Sequence, residues 1–207
     1  MDRDLVKTIL LEKLKFNPEN IKKLEVFHDA LLNYNKKYNL IANSTINDIW
    51  NRHILDSAQL VKYIDFKDNE SLSDIGTGGG FPGMILAIFN NNPKFHVKLF
   101  EKSKVKCYFL ASIRNQLKIN CDIYDDDYKY HNIDSNYIIC RAFKKLEEII
   151  KISREIVKVN HKLIVLKGKN AENEINNLQY KVNYRYELKK SITDEESKIL
   201  IMNVKIK

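Results

Sequence analysis

Asp74-Ile75-Gly76-Thr77-Gly78-Gly79-Gly80-Phe81-Pro82-Gly83 holds five of the six glycines of a 207-residue chain. Glycine is used almost nowhere else, so the backbone here must turn tightly and admit something close to it. Leu72 and Ile75 before the loop read as a strand, and Met84 to Phe89 after it as a helix. A glycine loop at a strand-to-helix crossover is where open α/β sheets bind nucleotides.

Outward from the loop, short apolar runs alternate with helical patterns. Strands are expected near 71–75, 95–100, 121–124, 136–140 and 161–166, and helices near 82–90, 103–119, 144–158 and 171–178. That alternation implies βαβ units and a mainly parallel sheet. Tyr180, Val182, Tyr184, Tyr186 and Leu188 then alternate with polar residues, and a second run follows from Ile199 to Ile206. Two strands with no helix between them suggest an antiparallel pair closing one edge. Upstream, Ile21, Leu24, Phe27, Leu31 and Tyr38 share a helical face behind the start signal Asn17-Pro18-Glu19. Ile46, Ile49, Trp50, His53, Ser57, Leu60, Val61 and Ile64 trace another helical face. Residues 1–65 are thus expected to form an N-terminal helical cap and residues 66–207 the α/β core, together one compact unit.

With 44% hydrophobic and 30% charged residues, the composition is that of a soluble globular domain and excludes wholesale disorder. Lys and Arg exceed Asp and Glu by 35 to 27, a net +8 that suits a polyanionic partner or simply a basic solvated surface. Cys107, Cys121 and Cys140 are too few and too scattered for a disulfide framework or a zinc site, and read as reduced core residues; no metal is expected. Asp2, Arg3, Asp4 and Lys7 stand where a secretory signal would be apolar, and no apolar run approaches the roughly 18 residues of a membrane span. The reading is a cytoplasmic protein with no membrane partner.

The loop parses in two ways. Gly78 to Gly83 satisfies G-x-G-x-x-G, the dinucleotide fingerprint, a weak match alone. The other parsing is acid-first: Asp74-x-Gly76-x-Gly78-x-Gly80. A carboxylate beside the loop is poorly placed against a pyrophosphate but well placed to orient a cationic aminoacyl group, which favours S-adenosylmethionine. Glu101, after the apolar run Val97, Leu99 and Phe100, can accept hydrogen bonds from ribose hydroxyls in either class of enzyme. Asp125-Asp126-Asp127-Tyr128 follows the third strand, near the position for adenine contacts or as an ordinary solvated turn.

Arg52-His53-Ile54-Leu55-Asp56-Ser57, Asp74 through Gly83, Arg141-Ala142-Phe143 and Leu166-Lys167-Gly168 resemble segments of the ribosomal small-subunit RNA methyltransferase G family, also called the glucose-inhibited division protein B family. The resemblance covers nearly the whole chain. It implies a Rossmann-like S-adenosylmethionine-dependent methyltransferase acting on N7 of a guanine in small-subunit ribosomal RNA. Carried over by position, it implies cofactor contacts at Gly76, Phe81, Tyr128, Lys129 and Arg141, beside Asp74, Gly78, Gly80 and Glu101. Guanine N7 is an unprotonated lone pair, so its methylation needs alignment rather than a general base. Arg52, His53, Arg141 and Lys167 are the candidates for the RNA side. Three of them also have a plainer reading: His53 as a satisfied core residue, Arg52 in an ion pair with Asp56 four residues on, Lys167 as a turn lysine. N7 lies in the deep groove of A-form RNA, so the target must be unstacked or not yet assembled. The chain is expected to act as a monomer.

A nicotinamide-dependent oxidoreductase and a non-catalytic RNA-binding protein on the same scaffold are the competing readings. Calorimetry separates the cofactor classes: S-adenosylmethionine or its demethylated product binds in the micromolar range or tighter and NAD(H) does not, whereas the reverse result removes the methyltransferase reading.

Overall fold

The computed structural model describes residues 1–178 and 185–206. Helix α1 (Arg3–Glu12) buries Val6 and Leu10 and leads into α2 (Pro18–Tyr38). Asn17 and Asn20 cap α2 reciprocally, each side chain accepting from the other's backbone N–H (2.7 and 3.1 Å), with Pro18 at the first helical position. The buried Asn20 Nδ2 also donates to the carbonyl of Ile88 (2.6 Å). One side chain thus starts α2 and closes a later helix of the core.

The stretch expected as one helical face over 46–64 is helical from Asn43 to Tyr63, but its pitch changes along the way. A 3₁₀ turn (Asn43–Asp48), a wide π-type turn (Trp50–Leu55), the single turn α3 (Asp56–Ala58) and another 3₁₀ turn (Gln59–Tyr63) follow one another. Trp50, Asn51, His53, Ile54, Leu55 and Ser57 to Leu60 are all buried. A segment buried this heavily around Trp50 to Leu60 answers to its neighbours rather than to a 3.6-residue stripe.

From there the expected alternation holds within two residues at nearly every boundary. Strand β1 (Ser71–Ile75) leads to α4 (Gly83–Phe89), β2 (His96–Phe100) to α5 (Lys104–Leu117), and β3 (Asp122–Tyr124) through a short turn to β4 (Tyr137–Arg141). Helix α6 (Leu146–Ile156), β5 (His161–Lys167), α7 (Ala171–Leu178), β6 (Tyr186–Lys190) and β7 (Lys198–Val204) complete the chain. The expected strand portion over residues 180–184 lies outside the described residues.

The sheet order is β3-β2-β1-β4-β5-β7-β6, parallel through β5 and antiparallel for the last two strands. Successive crossovers from β1 run one way and from β4 the other, so the switch point lies between β1 and β4. Every residue of β1 is buried, which suits a central parallel strand covered on both faces. Residues from Val6 to Ile64 share one apolar core with α4, α5 and one sheet face, while α6 covers the other with Leu146, Ile149, Ile150 and Ile156. Each such side chain contributes about 1.5–3 kcal/mol by leaving water.

The glycine loop meets this core at Gly83. A β-carbon there would stand 2.7 Å from Asp74 Oδ2 and press on the side chain of Leu99. Gly83→Ala therefore lowers folding stability by about 1–3 kcal/mol, the usual cost of overpacking; urea denaturation checks it, and an unchanged midpoint contradicts it.

Candidate functional site

A cavity of about 900 Å³ opens above the carboxyl ends of β1, β2, β4 and β5, within the range of small-molecule sites. Its floor is the loop between β1 and α4. Gly76, Gly78 and Gly80 have φ of +75°, +61° and +99°, so the loop depends on left-handed backbone. The Phe81–Pro82 peptide is cis. A β-carbon at Gly78 would meet nothing nearer than the Gly76 carbonyl at 4.0 Å, so bare backbone faces the cavity there.

Glu101 holds the floor to the end of β2. Its Oε2 accepts from Gly78 N–H (3.0 Å) and its Oε1 from Ser103 N–H (2.8 Å), and the carboxylate lines the cavity. Each oxygen keeps a lone pair for a further donor. Tyr128 and Lys129 line the same end, on a turn started by Asp127, whose side chain accepts from Lys129 N–H (3.0 Å).

Asp74 and Gly80 take a different place from the one expected of cofactor contacts: neither lines the cavity. Asp74 is fully buried under the loop, where its Oδ2 accepts from Gly83 N–H (2.7 Å). Burial pushes its carboxyl up to about 6, against the pull of the Gly83 N–H. Gly80 faces Met84 and Leu110 in the core, at 2.9 and 3.0 Å from where a β-carbon would be. Both residues shape the loop from beneath. At Gly76 the close neighbour is Phe143, whose ring lies 2.7 Å from the β-carbon position. Phe143 meets Tyr128 edge-on (ring centroids 5.5 Å apart) and forms a wall of the cavity. Sequence reasoning assigned it no role, because the left-handed turn at Ala142 (φ +48°) that aims it carries no residue signal.

On the opposite side stands Arg141. Its Nη1 donates to the carbonyl of Arg52 (3.0 Å) and pairs with Asp56 Oδ2 (3.5 Å), and its Nη2 donates to His53 Nδ1 (2.8 Å). The guanidinium also lies over the Phe81 ring, 5.1 Å from its centroid. Burial lowers the Arg141 pKa and Asp56 opposes that shift, while burial raises the Asp56 pKa against the pull of Arg141. Asp56 is further bound by Gln59, Ser191 and Thr193, which joins the cap to the turn between β6 and β7. The plainer reading of Arg52, an ion pair with Asp56, does not hold; the partner of Asp56 is Arg141.

Because Nδ1 of His53 accepts from a guanidinium, the ring proton sits on Nε2 and is donated to Thr45 Oγ1 (2.8 Å). Burial, with Arg141 and Arg52 nearby, lowers its pKa to about 3. His53 is neutral and too weak to serve as a base. Lys167 is equally committed, its Nζ donating to the Lys144 carbonyl (2.8 Å) and to Glu174 (2.8 Å). Of the four RNA candidates, Arg52 alone has a charged head with no partner among the described residues, and it is exposed on the cavity rim. Lys102 and Lys106, also on that rim, were not singled out from sequence. All three cysteines are buried and unpaired, and among the described residues no group of His, Cys, Asp or Glu could hold a metal ion.

A parallel sheet with its switch point under a glycine loop, and an acid closing the second strand, is the arrangement of Rossmann-like enzymes that bind a nucleoside cofactor, and here the sheet ends in the antiparallel pair β7-β6. Solved structures of that class share the fold. A SAM-dependent methyltransferase from Aquifex aeolicus matches with a TM-score of 0.57 at 14% identity, over 84% of this chain and 97% of that one. A SAM-dependent O-methyltransferase from Thermotoga maritima matches with a TM-score of 0.55 at 14% identity, over 73% and 65%. Among sequence relatives, ribosomal RNA small subunit methyltransferase G of Rickettsia felis is 40% identical over 182 residues, 88% of this chain and 92% of the relative. The protein of the same name from Rickettsia prowazekii is 37% identical over 190 residues, 92% and 97% of the two chains. The sequence model of the GidB family, described as rRNA small subunit methyltransferase G, matches residues 20–201. The chain belongs to this family and is a methyltransferase.

The pKa of His53 sets a pH dependence. Its folded value, about 3, lies below the ordinary 6.5, so the stability it contributes is complete above pH 6.5 and is lost as pH falls toward 3. Asp74, raised from 3.8 to about 6, works the other way, its contribution complete below 3.8 and lost as pH rises through 6. Comparing wild type with His53→Asn cancels Asp74. The variant's stability falls less steeply between pH 6.5 and 4, by up to ~1.4 kcal/mol per pH unit; urea midpoints across that range measure it, and parallel curves contradict it.

Proposed function

We propose that the protein transfers the methyl group of S-adenosylmethionine to N7 of a guanine in small-subunit ribosomal RNA. Family membership supports the RNA substrate, and the observation that carries the cofactor assignment is Glu101, shared between Gly78 and Ser103 at the cavity floor. The chemistry of that donor set fits: a carboxylate with spare lone pairs for two hydroxyls, bare backbone at Gly78 and the aromatic Tyr128 beside it. S-adenosylmethionine, when bound, supplies an electrophilic methyl group on a sulfonium centre. Glu101 would hold the ribose hydroxyls, Gly78 would let the ligand approach the backbone while Gly76 makes room for Phe143, and Tyr128 and Lys129 would flank the adenine. Phe81 and Arg141 close the side toward β4. Asp74 acts through the loop by fixing Gly83.

The acceptor half, between Arg141, Phe143 and the Arg52 to Asp56 turn, contributes alignment alone. A neutral His53 with both ring nitrogens engaged suits an acceptor atom that carries no proton. His53 and Arg141 therefore position the turn, and Arg52 offers its charge to an RNA phosphate. Lys167 supports the wall at Lys144. We read the chain as a monomer acting in the cytoplasm on free, precursor or assembled small-subunit RNA; no described helix is long and apolar enough to cross a membrane.

Labelled methyl transfer to small-subunit RNA from cells lacking the protein, followed by borohydride and aniline cleavage, tests this. One N7-methylguanine stop appears in reverse transcription with wild type. Glu101→Ala loses cofactor affinity about 10-fold or more, two hydrogen bonds to a charged group, while Arg52→Ala raises the RNA KM and leaves cofactor affinity unchanged. Label in RNA without an aniline-sensitive site overturns the N7 assignment, and equal losses in both variants overturn the division of roles.

A further inference from the structure

The cavity rim continues outward into a shoulder made by the last turn of α2 and the first turn of α5. Leu40 and Ile41 line the cavity, three and four residues after Lys37, and Lys102 and Lys106 line it from the α5 side. The two helices are held together by an aromatic ladder. Phe27 and Tyr34 of α2 pack on the buried Phe109 of α5, with ring centroids 5.9 and 5.1 Å apart. Lys106 is three residues before Phe109 and so shares its helix face. The ladder ends outside the core: Tyr38 lies 6.0 Å from Tyr34 and is 47% exposed. Tyr34 packs beside its ring, and the residue is otherwise exposed.

Three of the lysines on this shoulder are unmatched among the described residues. Lys104, on the same turn of α5, is paired with Asp125 (2.6 Å), as Lys144 is with Glu148 (2.7 Å). Lys37, Lys102 and Lys106 have no hydrogen bond or ion pair with the described residues. The acid nearest in sequence, Glu101, already accepts from two backbone N–H groups. Unmatched lysines tracking away from a site, with an exposed aromatic face among them, are what a single-stranded polyanion with stackable bases complements. The exposed apolar side chains here, Tyr38 with Val105 and Tyr108 of α5, stand among lysines, and charged residues are depleted from the core of a protein interface.

We propose that this shoulder is the docking surface for the single-stranded RNA flanking the target nucleotide, with Lys37, Lys102 and Lys106 against phosphates and Tyr38 stacked on a base. The proposal rests on the RNA substrate assigned above and adds the path by which that RNA leaves the cavity. The stack needs no particular base, since every base offers a π-face.

Filter retention of small-subunit RNA from cells lacking the protein, and labelled methyl transfer to that RNA across a salt series, test it. Lys37→Glu raises the RNA Kd and KM about five-fold or more at ~0.1 M salt and flattens their salt dependence. Its cofactor affinity, by calorimetry, is unchanged. Lys22→Glu, the same charge change at the opposite end of α2, leaves all three values at wild type. Tyr38→Ala weakens RNA binding by about five-fold or more, and Tyr38→Phe restores it. If wild type methylates the RNA while Lys37→Glu and Tyr38→Ala behave like Lys22→Glu, the docking surface is overturned and the function stands. If wild type neither binds nor methylates the RNA, both are overturned.

Discussion

The buried guanidinium of Arg141 is the contact on which the site depends. It leaves the end of β4 and meets, within one hydrogen-bonding radius, the Arg52 carbonyl, the Asp56 carboxylate and the His53 ring. A largely enclosed cation is tolerable here because three of its five N–H donors meet acceptors and its face lies over the Phe81 ring; removing the Asp56 carboxylate would take away its one charged acceptor. The ion pair itself is long, and the neutral acceptors carry much of the satisfaction. The consequence is geometric. The cap and the sheet are joined at the cavity by a fork of fixed shape, so the turn bearing Arg52 has one orientation relative to the glycine loop.

Beneath the loop a second constraint acts in the same sense. Asp74 spends a buried carboxylate on one backbone N–H, and Glu101 spends both oxygens on two more. These acids fix where the loop's glycines point before any ligand arrives, which is preorganisation in the strict sense: the ordering cost is met during folding. The two acids divide the work by burial. Asp74, sealed away, shapes the loop; Glu101, at the edge, shapes it and remains open to the cavity.

Much of this was legible in the sequence, and the limits are physical. The glycine cluster, the acid ahead of it and the acid after the second strand stand out because their spacing follows from local chain geometry. The strands and core helices were legible for the same reason, each carrying its own periodicity. The changes of pitch from Asn43 to Tyr63 were not, because they are set by what surrounds them. Long-range pairings were invisible too. Nothing near Lys167 announces that Glu174 and the Lys144 carbonyl claim its ammonium, and nothing near Asp56 announces Thr193. A lysine at the end of a strand reads as available charge until the fold supplies its partner. Phe143 stayed hidden because its place over Gly76 depends on the left-handed turn of an alanine, which has neither glycine's freedom nor a polar side chain to favour one.

The cluster of Asp56, Gln59, Ser191 and Thr193 has a further consequence, in time rather than in space. Its hydrogen bonds span 132 to 137 residues of sequence. A chain made from its N-terminus can assemble the cap, the glycine loop and the first parallel strands while β6 and β7 are still unmade. Until they arrive, one face of Asp56 lacks the hydroxyls that hold it, and the fork at Arg141 lacks a fixed counter-ion. The side of the cavity held by Arg141 is therefore completed only with the turn between the last two strands.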